Sequence, residues 1–268
     1  MRLKKYVAIA KISWMNSFVY RLNFIMWRVR SVLQLLAVYF LWVAIFKRGG
    51  TAFGYDQPMI LTYILGTSIL RSFVLGSRSV DAASEIAKGD LNNYLVKPVN
   101  YFANWLSRDL ADKALNLIFV IGELIVLFYL LKPTVFIQNQ PMQVLAFTIA
   151  GILAMLIYFF LSFLVSSVTF WYVEYSGWPL RFLSMVIIEF FSGGLFPLDI
   201  LPPAAYNVVR LLPPAYFLFY PMQIYLGRLN AQQTAGTLAI MVVWVLILAE
   251  LSQFVWRKGL KVYGAYGR

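Results

Sequence analysis

Three acidic residues, Glu123, Glu189 and Glu250, stand inside long apolar runs. A charged group near mid-bilayer costs about 2.5–3.5 kcal/mol, so such residues face a protein interior or a water path. One reading makes Glu123 and Glu189 part of a translocation path that favours a cationic amphiphile. The other pairs each acid with a polar group on a neighbouring helix, or protonates it through burial. Neither has Lys or Arg at helical spacing in its own run, whereas Glu250 precedes Arg257 by seven residues. Asp81, Glu85 and Asp90 share one polar stretch, but their spacing fits no metal motif and reads as a solvated loop face. His and Cys are absent, which removes the usual ligands of zinc, haem iron and iron–sulfur clusters. It also removes the general base of a Ser-His-Asp hydrolase. No Gly-x-x-x-x-Gly-Lys-Ser/Thr run cradles a nucleotide phosphate, and no Gly-x-Ser-x-Gly elbow presents a nucleophile. By itself the chain is not expected to be an enzyme, and it binds no cofactor.

The elements that must position these residues are set by composition. Of 268 residues, 61% are hydrophobic and only 13% charged, against about 45–50% and about 25% in soluble domains. A bilayer core of about 30 Å takes about 20 apolar helical residues. Six stretches meet that demand, at 22–46, 58–75, 114–131, 142–171, 181–195 and 234–255. The expected fold is an all-α polytopic membrane protein with a single transmembrane domain. Residues 1–21 place lysines between Leu3, Val7, Ala10 and Trp14, the pattern of a helix lying on the cytoplasmic interface.

The chain carries a net charge of +12. Nucleic-acid binding would need a solvated basic face flanked by stacking aromatics, but here the basic residues punctuate greasy runs. With the N-terminus inside, only Lys47, Arg48, Lys132, Arg210 and Arg228 of the 23 Lys and Arg residues fall outside. That bias puts both termini in the cytoplasm. Trp27, Trp42, Trp171, Trp178 and Trp256 fall near span ends, where interfacial anchors belong.

Two segments interrupt the spans. Residues 76–112 form a polar cytoplasmic loop too long for a minimal turn. Within it, Val80, Ala83 and Ala87 mark a helical face, and Gly89 stops that helix. Asp90 is placed to cap a second short helix carrying Leu91, Tyr94 and Leu95, which Pro98 ends. Residues 193–227 are rich in Pro and Gly yet greasy, reading Ser-Gly-Gly-Leu-Phe-Pro-Leu-Asp-Ile-Leu-Pro-Pro from Ser192. Backbone freed by proline cannot face lipid unsatisfied. The expectation is a pair of short broken helices dipping into the outer leaflet and covered by protein.

With these features in place the chain resembles the ABC-2 class of ATP-binding-cassette transporter permeases, in particular the six-span bacterial permeases. The resemblance rests on Gly89, Leu91, Tyr94, Leu95, Lys97 and Pro98 after the second span. It rests also on Gly194, Pro197, Leu198 and Pro202 after the fifth, and on the basic helix leading into Tyr20-Arg21-Leu22-Asn23-Phe24. It implies a half-transporter in a bacterial cytoplasmic membrane. A second permease chain, identical or related, completes the pore, membrane lipids surround it, and ATP and Mg bind a separate cytoplasmic ATPase dimer. Glu85, Ile86, Gly89, Asp90, Leu91, Tyr94, Leu95, Lys97 and Pro98 would form the ATPase-coupling element, with the N-terminal helix beside it. Gly194, Pro197, Asp199 and Pro202 would belong to the outer re-entrant region. The implied substrate is a hydrophobic or amphipathic molecule, drug-like or lipid-like, moved outward. A secondary carrier driven by protons or ions through Glu123 and Glu189, and a membrane enzyme or assembly factor, are the alternatives.

Overall fold

The computed structural model describes residues 2–19, 21–173 and 178–264. Among them helix accounts for 79% and no strand is present. In chain order the α-helices are α1 (Arg2–Val19), α2 (Arg21–Ile45), α3 (Gln57–Val74), α4 (Ala82–Ala87), α5 (Asn92–Leu95) and α6 (Tyr101–Leu131). There follow α7 (Pro141–Ser167), α8 (Trp178–Phe191), α9 (Pro203–Val209), α10 (Phe219–Tyr225) and α11 (Ala231–Val262).

Local chemistry sets most of these ends. Asp56 accepts from the Met59 amide at 2.8 Å and caps α3, with Pro58 in its first turn. Asn100 caps α6 through the Ala103 amide at 2.9 Å, and Asn230 with Gln233 forms a full capping box on α11. Side-chain oxygens at these positions satisfy amides that a helix start leaves free. Lys132 closes α6 in a left-handed conformation, φ 43°, immediately before Pro133.

Four helices, α2, α6, α7 and α11, are long and apolar enough to cross a membrane. A fifth is counted if α3 is carried through a 42° bend into Arg78–Ala87. The expected fifth span, 181–195, differs most. Its helix, α8, has 14 residues, or about 21 Å of rise, short of a full bilayer core, and it stops at Ser192-Gly193-Gly194. The cytoplasmic loop is also shorter than expected, because the Asn100 cap starts α6 at Tyr101, not near residue 113.

Helix α3 lies at the centre, against α2, α6, α7 and α10. Its hydroxyls turn back onto its own backbone, Thr62 to Pro58 O at 2.8 Å and Thr67 to Ile64 O at 2.8 Å. Gly66 admits Met222 of α10 so closely that a Cβ would sit 2.5 Å from the methionine Cε. Small residues allow this approach between helices in lipid. The same device lines α7, where Ala146, Ala150 and Ala154 recur every fourth residue and are buried.

The N-terminal helix differs from the surface helix expected. Lys5 donates to Pro98 O, Asn100 N donates to the Tyr6 hydroxyl, Phe24 packs edge-on against Phe119, and Arg28 bonds Glu123. The separations in sequence are 93, 94 and 95 for the three polar contacts. A nearly constant offset means that α1 and α2 run parallel to α6 in one register. The stripe of α1 turned inward is Tyr6, Ala10, Ser13 and Ser17, while Val7 is 61% exposed. Small polar side chains permit that lengthwise contact.

A second apolar cluster joins the start of α6, the end of α7 and the end of α11 to the loop after α3. Tyr101 stacks on Trp256 at 4.6 Å between ring centroids, and Phe102 stacks on Phe163 at 4.3 Å. Trp256 is thus interior, as is Trp42, and neither serves as an interfacial anchor. Phe170 lies on the bare backbone of Gly259, where a Cβ would fall 2.1 Å from the ring. Gly259→Ala is expected to cost about 1–3 kcal/mol by overpacking, read as a lower midpoint in detergent unfolding. Gly236→Ala, on the same helix with nothing within 4 Å, is expected to leave that midpoint unchanged or raised.

Candidate functional site

The polar residues form three layers. At one end of the bundle, Arg78–Asp81, α4 and α5 are folded back onto the start of α6. Ile86 and Leu91 point into the aromatic cluster, 3% and 0% exposed, so they hold the shape of the loop. Gly89 turns the chain with φ +79°, a conformation costly to a side chain. Asp90 does not cap the second helix as expected. Leu91 occupies the position before α5 and no side chain caps it, because the Leu91 amide donates to Glu85 O at 3.2 Å while its side chain is buried.

Glu85 accepts from the Tyr101 hydroxyl at 2.8 Å and from Arg108 at 3.2 Å, and Arg108 also donates to the Tyr94 hydroxyl. Burial pushes the Glu85 carboxyl above its ordinary range, against the Tyr101 hydrogen bond and Arg108. Leu95 and Val96 face outward, 49% and 84% exposed, with Lys97 and Pro98 exposed beside them. Val96 and Lys97, together with Asp90 and Asn93, edge a shallow cleft over Tyr94 and Glu85. A rigid base and an apolar tip are what a docking knob requires.

Within the apolar helices each candidate acid has an arginine from another helix. Arg28 of α2 grips Glu123 of α6 through two hydrogen bonds, one of them from Nε at 2.7 Å. Arg28 also reaches the Ser72 hydroxyl at 3.4 Å. Arg71 of α3 bonds Glu189 of α8 at 2.5 Å, and Gln34 of α2 donates to the other carboxylate oxygen at 2.7 Å. Ser72 follows Arg71 in sequence, so the two pairs adjoin. Each pair is neutral, which removes the ground for preferring a cationic substrate. Glu250 is exposed on α11 and forms no ion pair among the described residues. An apolar groove lined by Phe24, Val29, Val32, Leu33 and Phe119 opens beside Arg28 and Glu123.

The third layer begins where α8 stops. The Tyr63 hydroxyl donates to Gly193 O at 2.6 Å, and a Cβ on Gly194 would meet the Arg71 guanidinium at 2.1 Å. Gly194 is therefore the seat of Arg71. Beyond it, Ala215–Phe219 are at most 4% exposed and so are covered by protein, whereas α9 and the residues after it, Val208 and Leu211 among them, are largely exposed, so the proline-rich segment is covered only in part. Asp199 accepts from the Tyr55 hydroxyl at 2.9 Å and from Arg228 at 3.3 Å. Gln223 donates to the same hydroxyl at 2.5 Å, and Arg228 lies 3.8 Å from the Tyr55 ring centroid. This knot ties the outer α2–α3 connection to the segment before α11. Pro197 is buried, and Pro202 sits exposed at the start of α9. Among the described residues no three acidic side chains converge as a metal site requires.

Sequence reasoning located the acids and missed their partners Arg28, Gln34 and Arg71. The signal was present, since an arginine inside an apolar run carries the same cost as an acid. Arg28 and Glu123 are 11% and 21% exposed. Replacing either alone by Leu strands the other charge, at about 3–5 kcal/mol, while replacing both is expected to be close to neutral. Detergent unfolding of Arg28→Leu, Glu123→Leu and the double variant measures this, and additive losses in the double variant would contradict it.

No curated protein matches the chain. The profile of the family described as ABC-2 family transporter protein matches residues 32–267, which takes in α2 from its middle, the loop between α3 and α6, Arg71, Glu123 and Glu189 of the ion pairs, and the knot around Asp199. This multi-pass helical chain belongs to the ABC-2 transporter family, whose members are membrane components of transport.

Proposed function

We propose that the chain is the permease half of an ATP-driven exporter in a bacterial cytoplasmic membrane, with both termini in the cytoplasm. ABC-2 permeases normally work with an ATPase component, and the sequence has no P-loop of its own. ATP and Mg would bind that partner dimer. The observation that carries the reading is the cytoplasmic loop, whose base is pinned by Glu85, Arg108 and Tyr101 while Leu95 and Val96 project into solvent. Such a knob transmits a push instead of yielding to it.

Six crossings follow if α8 and the partly covered segment after it share one passage. Helix α8 reaches the level of Arg71 and Tyr63, and residues of 198–226 fill the space against the outer half of α3, Met222 on Gly66 and Asp199 on Tyr55. That composite crossing keeps the number even.

The arginine–acid pairs are 11–27% exposed at the side chains, and charged groups inside a membrane are not left open to lipid. A second permease chain, identical or related, covers that face and makes it the wall of a path between the two halves. A neutral, partly open polar wall beside an apolar groove suits an amphipathic substrate of lipid or drug type. ATP binding would close the ATPase pair and tilt the permease halves through differential contacts with the loop.

The test is co-purification with a soluble ATPase, then reconstitution with and without ATP. Val96→Asp and Leu95→Asp are expected to abolish ATPase capture while leaving the unfolding midpoint of the permease unchanged. Leu91→Asp is expected to lower that midpoint as well, because Leu91 is fully buried. Transport by the purified chain alone in vesicles would refute the proposal.

A further inference from the structure

The bend between α3 and the loop is where any push on the loop must enter the spans, and it is built unlike an ordinary helix end. Breaking the helix there frees backbone groups, among them the carbonyls of Val74 and Gly76 and the amide of Arg78. Lys113 donates to Val74 O at 3.2 Å and to Gly76 O at 2.8 Å. Asp109 accepts from the Arg78 amide at 2.7 Å. The two side chains stand one turn apart on α6, 3.3 Å from each other, and are 1% and 0% exposed. A single ion pair therefore ends one helix and starts the next, with the cation at the carbonyl end and the anion at the amide end. That is the arrangement the peptide dipoles favour.

The surroundings point the same way. Arg78 reaches back to Asp112 at 3.1 Å, which Asn116 also holds at 3.1 Å. On the opposite side, Ser166 of α7 donates to Ser79 O at 3.1 Å, and Ser162 bonds the Ser79 hydroxyl. The break is stitched to two helices and has no slack of its own.

We infer that Asp109 and Lys113 are the joint that welds the loop to α6, so that a displacement of the loop moves α6 instead of flexing the chain at Ser77. Glu123 lies ten residues further along α6, about 15 Å at helical rise, and through Arg28 it carries α2 along. These are positioning residues, and their role in transport rests on the reading of the loop as an ATPase seat; the weld itself does not.

An ordinary buried ion pair owes its charges only to each other, and two uncharged residues of similar volume replace it with little loss. A weld also needs hydrogen bonds to the broken backbone. Asp109→Asn with Lys113→Gln keeps donors and acceptors without charge, while Asp109→Asn with Lys113→Met keeps volume alone. The chain has no cysteine, so spin labels on Val96→Cys and Leu110→Cys, 84% and 46% exposed, report the loop-to-α6 distance without background in full-length chain in lipid nanodiscs. The glutamine variant is expected to keep the narrow distance distribution of the parent, and the methionine variant to widen it about twofold as the break opens locally. Equal widths in both would overturn the inference. Hydrogen exchange of the Ser77–Ser79 amides in the unsubstituted chain is a second measurement independent of folding yield: protection like that inside α3 supports the weld, and exchange at the rate of exposed loop backbone overturns it. With the ATPase present, the methionine variant is expected to capture it yet lose stimulated hydrolysis. Failure of the unsubstituted chain to capture any ATPase would sink the transport reading while leaving the distance measurements to judge the weld.

Discussion

Hydrocarbon leaves no backbone group or charge without a partner, and this chain breaks its helices repeatedly in spite of that. Its polar side chains are spent on the breaks. Lys113 and Asp109 serve the gap after α3, Tyr63 serves the end of α8 at Gly193, and Tyr55, Asp199 and Arg228 fix the segment that follows it. Arg228 further donates to the Gly54 carbonyl at 2.6 Å, in a turn where Phe53 and Gly54 both have positive φ. In each case a residue remote in sequence supplies what the interrupted helix has lost. Where the helices are unbroken, along α7 and α11, the buried residues are small, aliphatic and aromatic, with short hydroxyls such as Ser166 and Ser252 bonded to backbone carbonyls.

The breaks divide the chain into two packed bodies. In one, α1 and α2 lie alongside α6 in a common register, closed near the middle by Arg28 and Glu123. In the other, α7 lies on α11, with Ser252 donating to Phe160 O at 2.9 Å between them. Helix α3 stands between the two and buries Ile60, Leu61, Tyr63, Ile64, Leu65 and Leu70, with Gly66 admitting the close approach of Met222. Neither body alone accounts for the loop, which is bonded to both: to α6 by Glu85 and Arg108, and to α7 and α11 by the aromatic stack around Trp256.

How much of this could be read from the sequence follows from the range of each interaction. The long apolar runs placed α2 and α7 to within about four residues and located the apolar parts of α6 and α11, while the caps at Asp56, Asn100 and Asn230, contacts only three residues long, were not read. The start of α6 was put too late because its first turns carry Asp109, Asp112 and Lys113, which look like a solvated loop until α3 and the Arg78 segment are packed against them. Trp42 and Trp256 looked like interfacial anchors for a similar reason. The Arg28–Glu123 and Arg71–Glu189 partnerships join residues 95 and 118 apart, and no local pattern encodes a register between distant helices. The short α8 was hidden by composition, since the greasy residues beyond Gly194 continue the hydrophobic run although the helix has ended.

The arrangement of charge gives the fold a direction of transmission. A movement confined to α4 and α5 meets stiff contacts on every side except toward solvent, where Leu95 and Val96 stand. Pushed there, the loop bears on the first turns of α6 through Arg108 and on the foot of α11 through Trp256, two helices whose upper parts belong to different bodies. Helix α3 lies between them, its end at Val74 bonded to Lys113 and its Arg71 held by Glu189 and seated on Gly194. The arginine–acid pairs and the exposed tip of the loop are thus joined by α6 and α3.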